Sequence, residues 1–168
     1  GTTRLLAKLV QLRMKEDQPT IFFLGGMITY TTTPMEQILN ALDVRCKKQT
    51  FFEALDKYGK QHGRVLIVVD GINEGVGLSL WKDHLLNFLN EIQSYKNIGM
   101  IVSVRTSGGD NWIDRFIKTE GLPSYRHHGF EQNLSGAVDY MFKSFSVPLP
   151  VWPIMNNEFK NPMLLTLF

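Results

Sequence analysis

The fold of this chain is decided by one stretch, which reads Val65-Leu66-Ile67-Val68-Val69-Asp70-Gly71-Ile72-Asn73-Glu74-Gly75. Its first five residues are all Val, Leu or Ile, a composition typical of a strand that is buried on both faces of a parallel sheet. Asp70 closes the apolar run, and Gly71 and Gly75 give the following turn its backbone freedom. The stretch therefore predicts a buried strand whose carboxyl end presents Asp70 and then Glu74.

Two other apolar runs, residues 20–24 and 100–104, have the same character, and residues 124–128 are a candidate fourth strand. Segments with helical spacing separate these runs, so that helix and strand alternate along the chain. This alternation predicts an α/β fold in which a parallel sheet is covered by helices on both faces, giving three layers. The proline-rich stretch 147–153 is the candidate boundary, and the start of a second, helical subdomain is predicted to follow it.

Helix starts are marked in two places by a capping box, in which a Thr and a Glu three residues later satisfy each other's backbone N–H groups. The boxes are Thr33-Pro34-Met35-Glu36 and Thr50-Phe51-Phe52-Glu53. The first box also has proline at the first helical position, where its fixed backbone angle suits a helix. Periodic apolar residues predict four further helices. The first ends near Lys15, the second runs from Leu80 to Tyr95, the third includes Trp112 to Ile117, and the fourth includes Leu134 to Phe145.

The composition excludes several classes of protein. The 168 residues, 43% hydrophobic and 20% charged, are ordinary for one soluble globular domain. A net charge of +2 is too small to require an anionic membrane or nucleic acid, and nucleic-acid binding is not expected. Cys46 is the only cysteine, so no internal disulfide can form and a closed zinc site is not expected. No apolar run approaches the ~20 residues that cross a bilayer and no signal peptide opens the chain, which predicts a cytoplasmic protein.

Charged residues follow two of the predicted strands, at the edge where ligands bind in parallel sheets. Asp70 ends an aliphatic run, the setting of a carboxylate that holds Mg²⁺ directly or through water. Glu74, at the tip of the turn, could orient and deprotonate an attacking water. Arg105, after the next strand, could reach a γ-phosphate and neutralise charge that develops in phosphoryl transfer. Simpler interpretations stay open, because an Asp-Gly pair can be an ordinary turn and Arg105 can form a surface ion pair.

These residues also resemble a known family. Residues 65–75 resemble the Walker B segment of STAND NTPases, the signal-transduction ATPases that include the NACHT group. Met100–Arg105, followed by Thr106, resembles their sensor 1 strand, and Arg126–Phe130 lies where the next core strand would be. Asn161-Pro162-Met163-Leu164-Leu165 resembles the signature that opens their helical lid. With Trp81-Lys82-Asp83-His84 downstream of the Walker B segment, the pattern is most similar to bacterial antiviral STAND proteins.

The resemblance implies a P-loop NTPase core over residues 1–146, and a linker with the first helix of the lid over residues 147–168. It implies an ATPase that uses ATP and Mg²⁺, with Pro162 packed near the adenine. Proteins of the antiviral group oligomerise on sensing a phage protein, so a protein trigger and an active homo-oligomer are implied, with no membrane partner. The expected function is the ATP-binding and hydrolysing switch module of such a sensor, and whether ATP is hydrolysed or only bound stays open.

The start of the chain departs from the family pattern. A Walker A loop needs several glycines and then Lys followed by Thr or Ser, with backbone amides that cradle phosphates at a helix N-terminus. Here the nucleotide-binding candidates are Gly1, Thr2 and Thr3, with Thr2 in the lysine position and Thr3 in the position of the Mg²⁺-binding hydroxyl. The strand that would feed the loop is missing, which predicts a fragment of a larger protein that is inactive by itself. The alternative is a catalytically dead NTPase fold that serves as a scaffold for protein–protein assembly.

Overall fold

A three-stranded parallel sheet forms the centre of the fold, with its strands in the order β1-β2-β3. The strands are β1 (Thr20–Leu24), β2 (Val65–Asp70) and β3 (Ile98–Val102). This computed structural model describes residues 2–29, 32–75, 77–105, 112–126, 129, 133, 135–136, 139–140 and 143. The prediction of an α/β fold around a parallel sheet is confirmed, and the three-layer NTPase arrangement stays a prediction.

Helices lie before, between and after the strands, and three of them pack against the sheet. They are α1 (Thr2–Lys15), α2 (Pro34–Ala41), α3 (Lys48–His62), α4 (Gly77–Gln93) and α5 (Trp112–Thr119), and a short 3-10 helix spans Gly25–Met27. α1 packs against β1 and β2, α3 against β2 and β3, α4 against β3, and α2 against α3 and α4. In the part of the chain that the structure describes, no helix is long and apolar enough to cross a membrane.

The chain divides into two compact units. Thr2–Phe116 form the unit that holds the sheet, and Ile117–Phe168 together with Gly1 form the other. The predicted boundary at residue 147, and the predicted first helix of the lid after it, lie outside the described residues. Within the predicted helix over residues 134–145, the described positions 135–136, 139–140 and 143 are helical.

β2 is the most buried strand because it has a hydrogen-bonded neighbour on each side and helices packed against it. Its most buried apolar side chains are at most 2% exposed, and they are Val65, Ile67, Val68 and Val69. Full burial of one such side chain contributes about 1.5–3 kcal/mol. The continuous apolar run that identified this strand in the sequence is therefore also a main source of the stability of the sheet.

Of the two predicted capping boxes, one is confirmed and the other is wrong. The Thr33 capping box is confirmed, since Thr33 and Glu36 exchange the expected hydrogen bonds at the start of α2. The Thr50 box is wrong, because α3 already begins at Lys48, with Lys47 as an N-cap residue that makes no side-chain cap. The added turn is stabilised by an ion pair of 2.8 Å between Lys48 Nζ and a carboxylate oxygen of Glu91 on α4.

The third strand begins and ends two residues earlier than predicted. β3 stays in register with β2 as far as Val102, which lies opposite Val69. The Ser103 N–H still donates to the Val69 carbonyl at 2.9 Å, but the Ser103 carbonyl accepts the N–H of Ile72 in the turn after β2, and residues 103–104 are outside the strand. The predicted fourth strand over residues 124–128 is wrong for residues 124–126, which are not in a strand, and residues 127–128 lie outside the described part of the chain.

Arg13 fastens the C-terminal end of α1 to the edge of the sheet where β1 and β2 begin. Its Nε donates to Thr20 Oγ1 at 2.8 Å and its Nη1 to Gln18 Oε1 at 2.9 Å. Its Nη2 donates to the carbonyl oxygens of Pro19 at 3.2 Å and Arg64 at 2.6 Å. A guanidinium is suited to this role because it offers five donors in a rigid, planar arrangement.

Tyr95 lies just after α4, beside a group of acidic side chains. Partial burial raises the pKa of the Tyr95 phenol above its ordinary value. The negative charges of Glu53, Glu91 and Asp56 raise this pKa further, and the positive charge of Lys48 lowers it. Both larger effects act against the phenolate, so the folded protein holds this proton more tightly than the unfolded chain does.

Tyr95 is therefore expected to make the fold less stable in alkali. Above the unfolded pKa of about 10, the unfolded chain loses the phenol proton while the folded protein retains it, so the free energy of unfolding falls as pH rises. Urea unfolding between about pH 8 and pH 11 should show this decline, and Tyr95→Phe should make it shallower. Tyr125→Phe is the matched control because Tyr125 is 88% exposed. Equal slopes for the two variants would contradict the prediction.

Candidate functional site

The turn after β2 has a backbone that only glycine adopts readily. Gly71 and Gly75 have φ angles of +71° and +63°, in the left-handed region that disfavours side chains. The Glu74 N–H donates to the Gly71 carbonyl at 3.0 Å, which closes the turn. The Glu74 side chain lies back over Gly71, where an added Cβ would be 2.6 Å from Glu74 Oε1. The turn therefore holds the Glu74 carboxylate close to the end of β2.

The 3-10 helix after β1 packs directly on this turn. A Cβ at Gly25 would lie 2.7 Å from the Gly71 carbonyl oxygen and 2.8 Å from Ile72 Cα. Both atoms belong to the backbone, and Ile72 is fully buried. The absence of a side chain at position 25 is what allows the two loops to touch, and their contact supports the turn that carries Glu74.

Asp70 lies at the carboxyl end of β2 and is only 6% exposed. The Ser103 hydroxyl donates a hydrogen bond to Asp70 Oδ1. The same hydroxyl oxygen accepts the Gly71 N–H at 2.9 Å. Within the described residues Ser103 is the only hydrogen-bond partner of this carboxylate, so its second oxygen has no donor there.

Asn73 holds the backbone of Arg105 beside the turn. Its side-chain Nδ2 donates to the Arg105 carbonyl at 2.6 Å, and its Oδ1 accepts the Arg105 N–H at 2.8 Å. The amide thereby makes the pair of bonds that a residue of a neighbouring strand would make. Asn73 thus extends the contact between the two chain segments past the end of β3, and its polar atoms are occupied in doing so.

Glu74 and Arg105, the two residues predicted to act in catalysis, form an ion pair. Arg105 Nε lies 2.5 Å from Glu74 Oε1, and the two side chains are 54% and 36% exposed. An ion pair this exposed contributes only about 0–1 kcal/mol. The structure thus shows Arg105 in a surface ion pair, as the simpler interpretation expected. Its partner is Glu74, four positions after the candidate metal ligand Asp70.

The remaining predicted site residues are at or beyond the ends of the described chain. Thr2 and Thr3 lie in the first turn of α1, where Thr3 is exposed and Thr2 is partly buried. Arg13 holds the other end of α1 where the strands begin. Helix α1 packs against β1 and β2. Gly1 and Pro162 lie outside the described residues.

Sequence reasoning missed Ser103 and passed over Asn73 in favour of Glu74. The sequence did carry a signal for Ser103, because it is the one polar side chain in residues 98–104, whose other members are apolar residues and Gly99. Ser103 directly follows β3, the strand next to the one that ends in Asp70. The contact of Asn73 with the Arg105 backbone could not be predicted in this way, since the two residues are 32 positions apart and the sequence around Asn73 does not indicate its partner.

Comparison with known proteins adds no relative to this description. No protein-family model, no curated protein and no solved structure matches the chain. Among the described residues there is no group of three or more His, Cys, Asp or Glu that could hold a metal ion by itself. At the carboxyl edge of the sheet, the described residues place the buried carboxylate of Asp70, the half-exposed carboxylate of Glu74 and the guanidinium of Arg105.

Proposed function

We propose that this chain is the ATP-binding and hydrolysing module of a STAND-type switch. The observation that carries the proposal is the grouping at one edge of the parallel sheet. There Asp70 ends the central strand, and Glu74 and Arg105 pair beside it at 2.5 Å. The carboxyl edge of a parallel sheet is where such folds bind ligands, and this trio has the chemistry that phosphoryl transfer requires.

Asp70 fits the role of a Mg²⁺ ligand shared with a nucleotide. Mg²⁺ is usually bound by one or two protein carboxylates, with phosphate oxygens and waters completing its shell. One buried carboxylate with an oxygen to spare suits this arrangement, and the exposed hydroxyl of Thr3 would add a second ligand. When bound, Mg²⁺ would neutralise charge on the phosphates.

Glu74 and Arg105 would act at the γ-phosphate. A phosphate is a strong competitor for a guanidinium that is held only by a half-exposed ion pair. Arg105 would then turn from Glu74 to the γ-phosphate, and the released Glu74 carboxylate would orient the attacking water and accept its proton. Glu74 is close to Asp70 because a short turn joins them, and the bonds of Asn73 and Ser103 hold this turn beside the segment that carries Arg105.

The switch itself would couple nucleotide state to assembly. In this proposal the segment around Pro162 closes over the adenine, and closure favours a homo-oligomer once a protein trigger such as a phage protein is bound. A ligand can drive such a change only through its different affinity for the two states. Arg105 supplies one such difference, because its partner would be Glu74 without ATP and the γ-phosphate with it.

Nucleotide binding by the full-length protein tests the proposal. We expect ATP binding that strengthens with Mg²⁺, measured with a fluorescent ATP analogue, and we expect Asp70→Ala to weaken the Mg²⁺-dependent part about tenfold or more. Loss of an outer-shell partner alone costs about 10–100-fold in metal affinity, so loss of the ligand should cost at least as much. Asp83→Ala is the control, because Asp83 is exposed on α4.

The contrary results are equally specific. Equal Mg²⁺ dependence in the Asp70→Ala and Asp83→Ala variants would remove Asp70 from the metal site. A full-length protein that binds no ATP at all would overturn the proposed function. It would leave the catalytically dead scaffold, suggested by Thr2 in the lysine position, as the function of the fold.

A further inference from the structure

Ser103 is one of only two buried polar or charged residues found in the described part of the chain, and the other is Asp70. It is 8% exposed and directly follows the last residue of β3. Buried polar groups are retained at low cost only when they are hydrogen-bonded. The two buried groups bond to each other, since the Ser103 hydroxyl donates to Asp70 Oδ1.

The direction of this bond is set by Gly71. A serine hydroxyl has one proton to donate and two lone pairs that accept. The Gly71 N–H occupies one lone pair at 2.9 Å, so the hydroxyl proton remains for Asp70 Oδ1. Gly71 immediately follows Asp70, so the Ser103 hydroxyl links the Asp70 carboxylate to the backbone N–H of the next residue in the turn.

The backbone of Ser103 is also held on both sides. Its N–H donates to the Val69 carbonyl at 2.9 Å, and its carbonyl accepts the Ile72 N–H at 3.0 Å. With both backbone groups and the hydroxyl bonded to residues 69–72, Ser103 has little freedom to turn away from Asp70. The hydroxyl therefore holds Oδ1 of Asp70, while Oδ2 has no hydrogen-bond partner among the described residues.

We propose that Ser103 is a positioning residue, which holds the Asp70 carboxylate so that Oδ2 faces a divalent cation at the nucleotide site. The inference rests on the proposed function, because it concerns the Mg²⁺ that accompanies ATP. Mg²⁺ requires nearly octahedral geometry with short ligand distances, and a freely rotating carboxylate meets this requirement less often. Outer-shell partners of ligating carboxylates are important for this reason.

The test measures metal affinity rather than turnover. In the full-length protein, the Mg²⁺ concentration that gives half-maximal binding of a fluorescent ATP analogue should rise about 10–100-fold in Ser103→Ala. Ser103→Thr keeps the hydroxyl and should stay near the wild-type value. Mn²⁺ binding, followed by electron paramagnetic resonance, should weaken in parallel. Ser94→Ala is the control, because Ser94 is exposed and its hydroxyl donates to the Glu91 carbonyl oxygen at 2.7 Å.

A merely structural role gives a different result. If Ser103 only stabilises the fold, Ser103→Ala lowers the denaturation midpoint but leaves the Mg²⁺ and Mn²⁺ concentrations for half-saturation unchanged, and the inference is overturned. Should the alanine variant not fold, Ser103→Cys keeps the size with a weaker donor and should show an intermediate loss of affinity. Amide exchange at Gly71 should be faster in both variants, since its acceptor is removed or weakened.

Failure of the inference can be distinguished from failure of the proposed function. A wild-type protein with Mg²⁺-dependent ATP binding and a Ser103→Ala variant with the same Mg²⁺ dependence would overturn the role of Ser103 alone. A wild-type protein that shows no binding of Mg²⁺ with ATP would overturn both.

Discussion

Glu74→Gln should lower ATP turnover by the full-length protein about 100-fold or more, while ATP binding changes only a few-fold. Glutamine keeps the shape of the side chain but cannot accept a proton from water, and a general base contributes about 10²–10⁴-fold. Nothing else about the site should change much, because the turn is held by Gly71, Gly75 and Asn73 rather than by the Glu74 carboxylate. Steady-state phosphate release and equilibrium ATP binding measure the two quantities separately.

Two further variants make this result specific. Glu74→Asp keeps the carboxylate but shortens its reach, so it should retain more turnover than glutamine does. Glu16→Gln makes the same chemical change at an exposed position after α1 and should have no effect. The loss of the half-exposed ion pair to Arg105 should change the free energy of unfolding by less than about 1 kcal/mol. Normal turnover in Glu74→Gln would show that another group activates the water.

Gly25→Ala should lower the free energy of unfolding by about 1–3 kcal/mol, the usual effect of overpacking. The new methyl group would meet the Gly71 carbonyl oxygen at 2.7 Å and Ile72 Cα at 2.8 Å. Neither atom can give way by changing a side-chain rotamer, so the two loops must separate. Because the displaced turn joins Asp70 to Glu74, Mg²⁺-dependent ATP binding should weaken as well. Denaturant unfolding gives the stability change from the shift in midpoint at constant slope.

The neighbouring glycine provides a matched control. A Cβ at Gly26 would lie 3.6 Å from Glu74 Cβ, which is an ordinary contact with a side chain. Gly26→Ala should therefore stay within about 0.5 kcal/mol of the wild type. Both substitutions occur in the same 3-10 helix and remove the same unfolded-chain freedom. Equal stability changes in the two variants would mean that the close approach of the loops is not important for the fold.

Local chemistry determined much of the fold. A strand with Val, Leu or Ile at each of its first five positions, Val65 to Val69, is apolar on both faces wherever it lies, so its burial could be predicted without its neighbours. The Thr33 box and the turn to which Gly71 and Gly75 give backbone freedom depend on atoms within a few residues of each other. These predictions were correct because the energy that decides them is short-range.

Element ends were less predictable. α3 begins at Lys48, three residues before the start that the Thr50 box predicts, and Lys48 Nζ lies 2.8 Å from a carboxylate oxygen of Glu91 on another helix. β3 ends at Val102, opposite Val69 of β2, and the next carbonyl, that of Ser103, accepts the N–H of Ile72 in the turn. In both cases the end of the element coincides with a contact to a residue distant in sequence. Helix and strand propensities amount to no more than about 1 kcal/mol per residue, so local preference determines the end of an element only weakly.

The sequence alone determined that Asp70 and Glu74 follow a buried strand and that Arg105 follows another, and it determined the chemistry these side chains can perform. Only the tertiary structure decided which groups meet. It pairs Glu74 with Arg105, joins Asn73 to the Arg105 backbone, and sets Ser103 between Asp70 and Gly71. These contacts join residues 31 to 33 positions apart, and they exist because the parallel pairing of β2 and β3 brings both carboxyl ends to one edge. Local sequence preference does not extend over such distances, whereas strand pairing does.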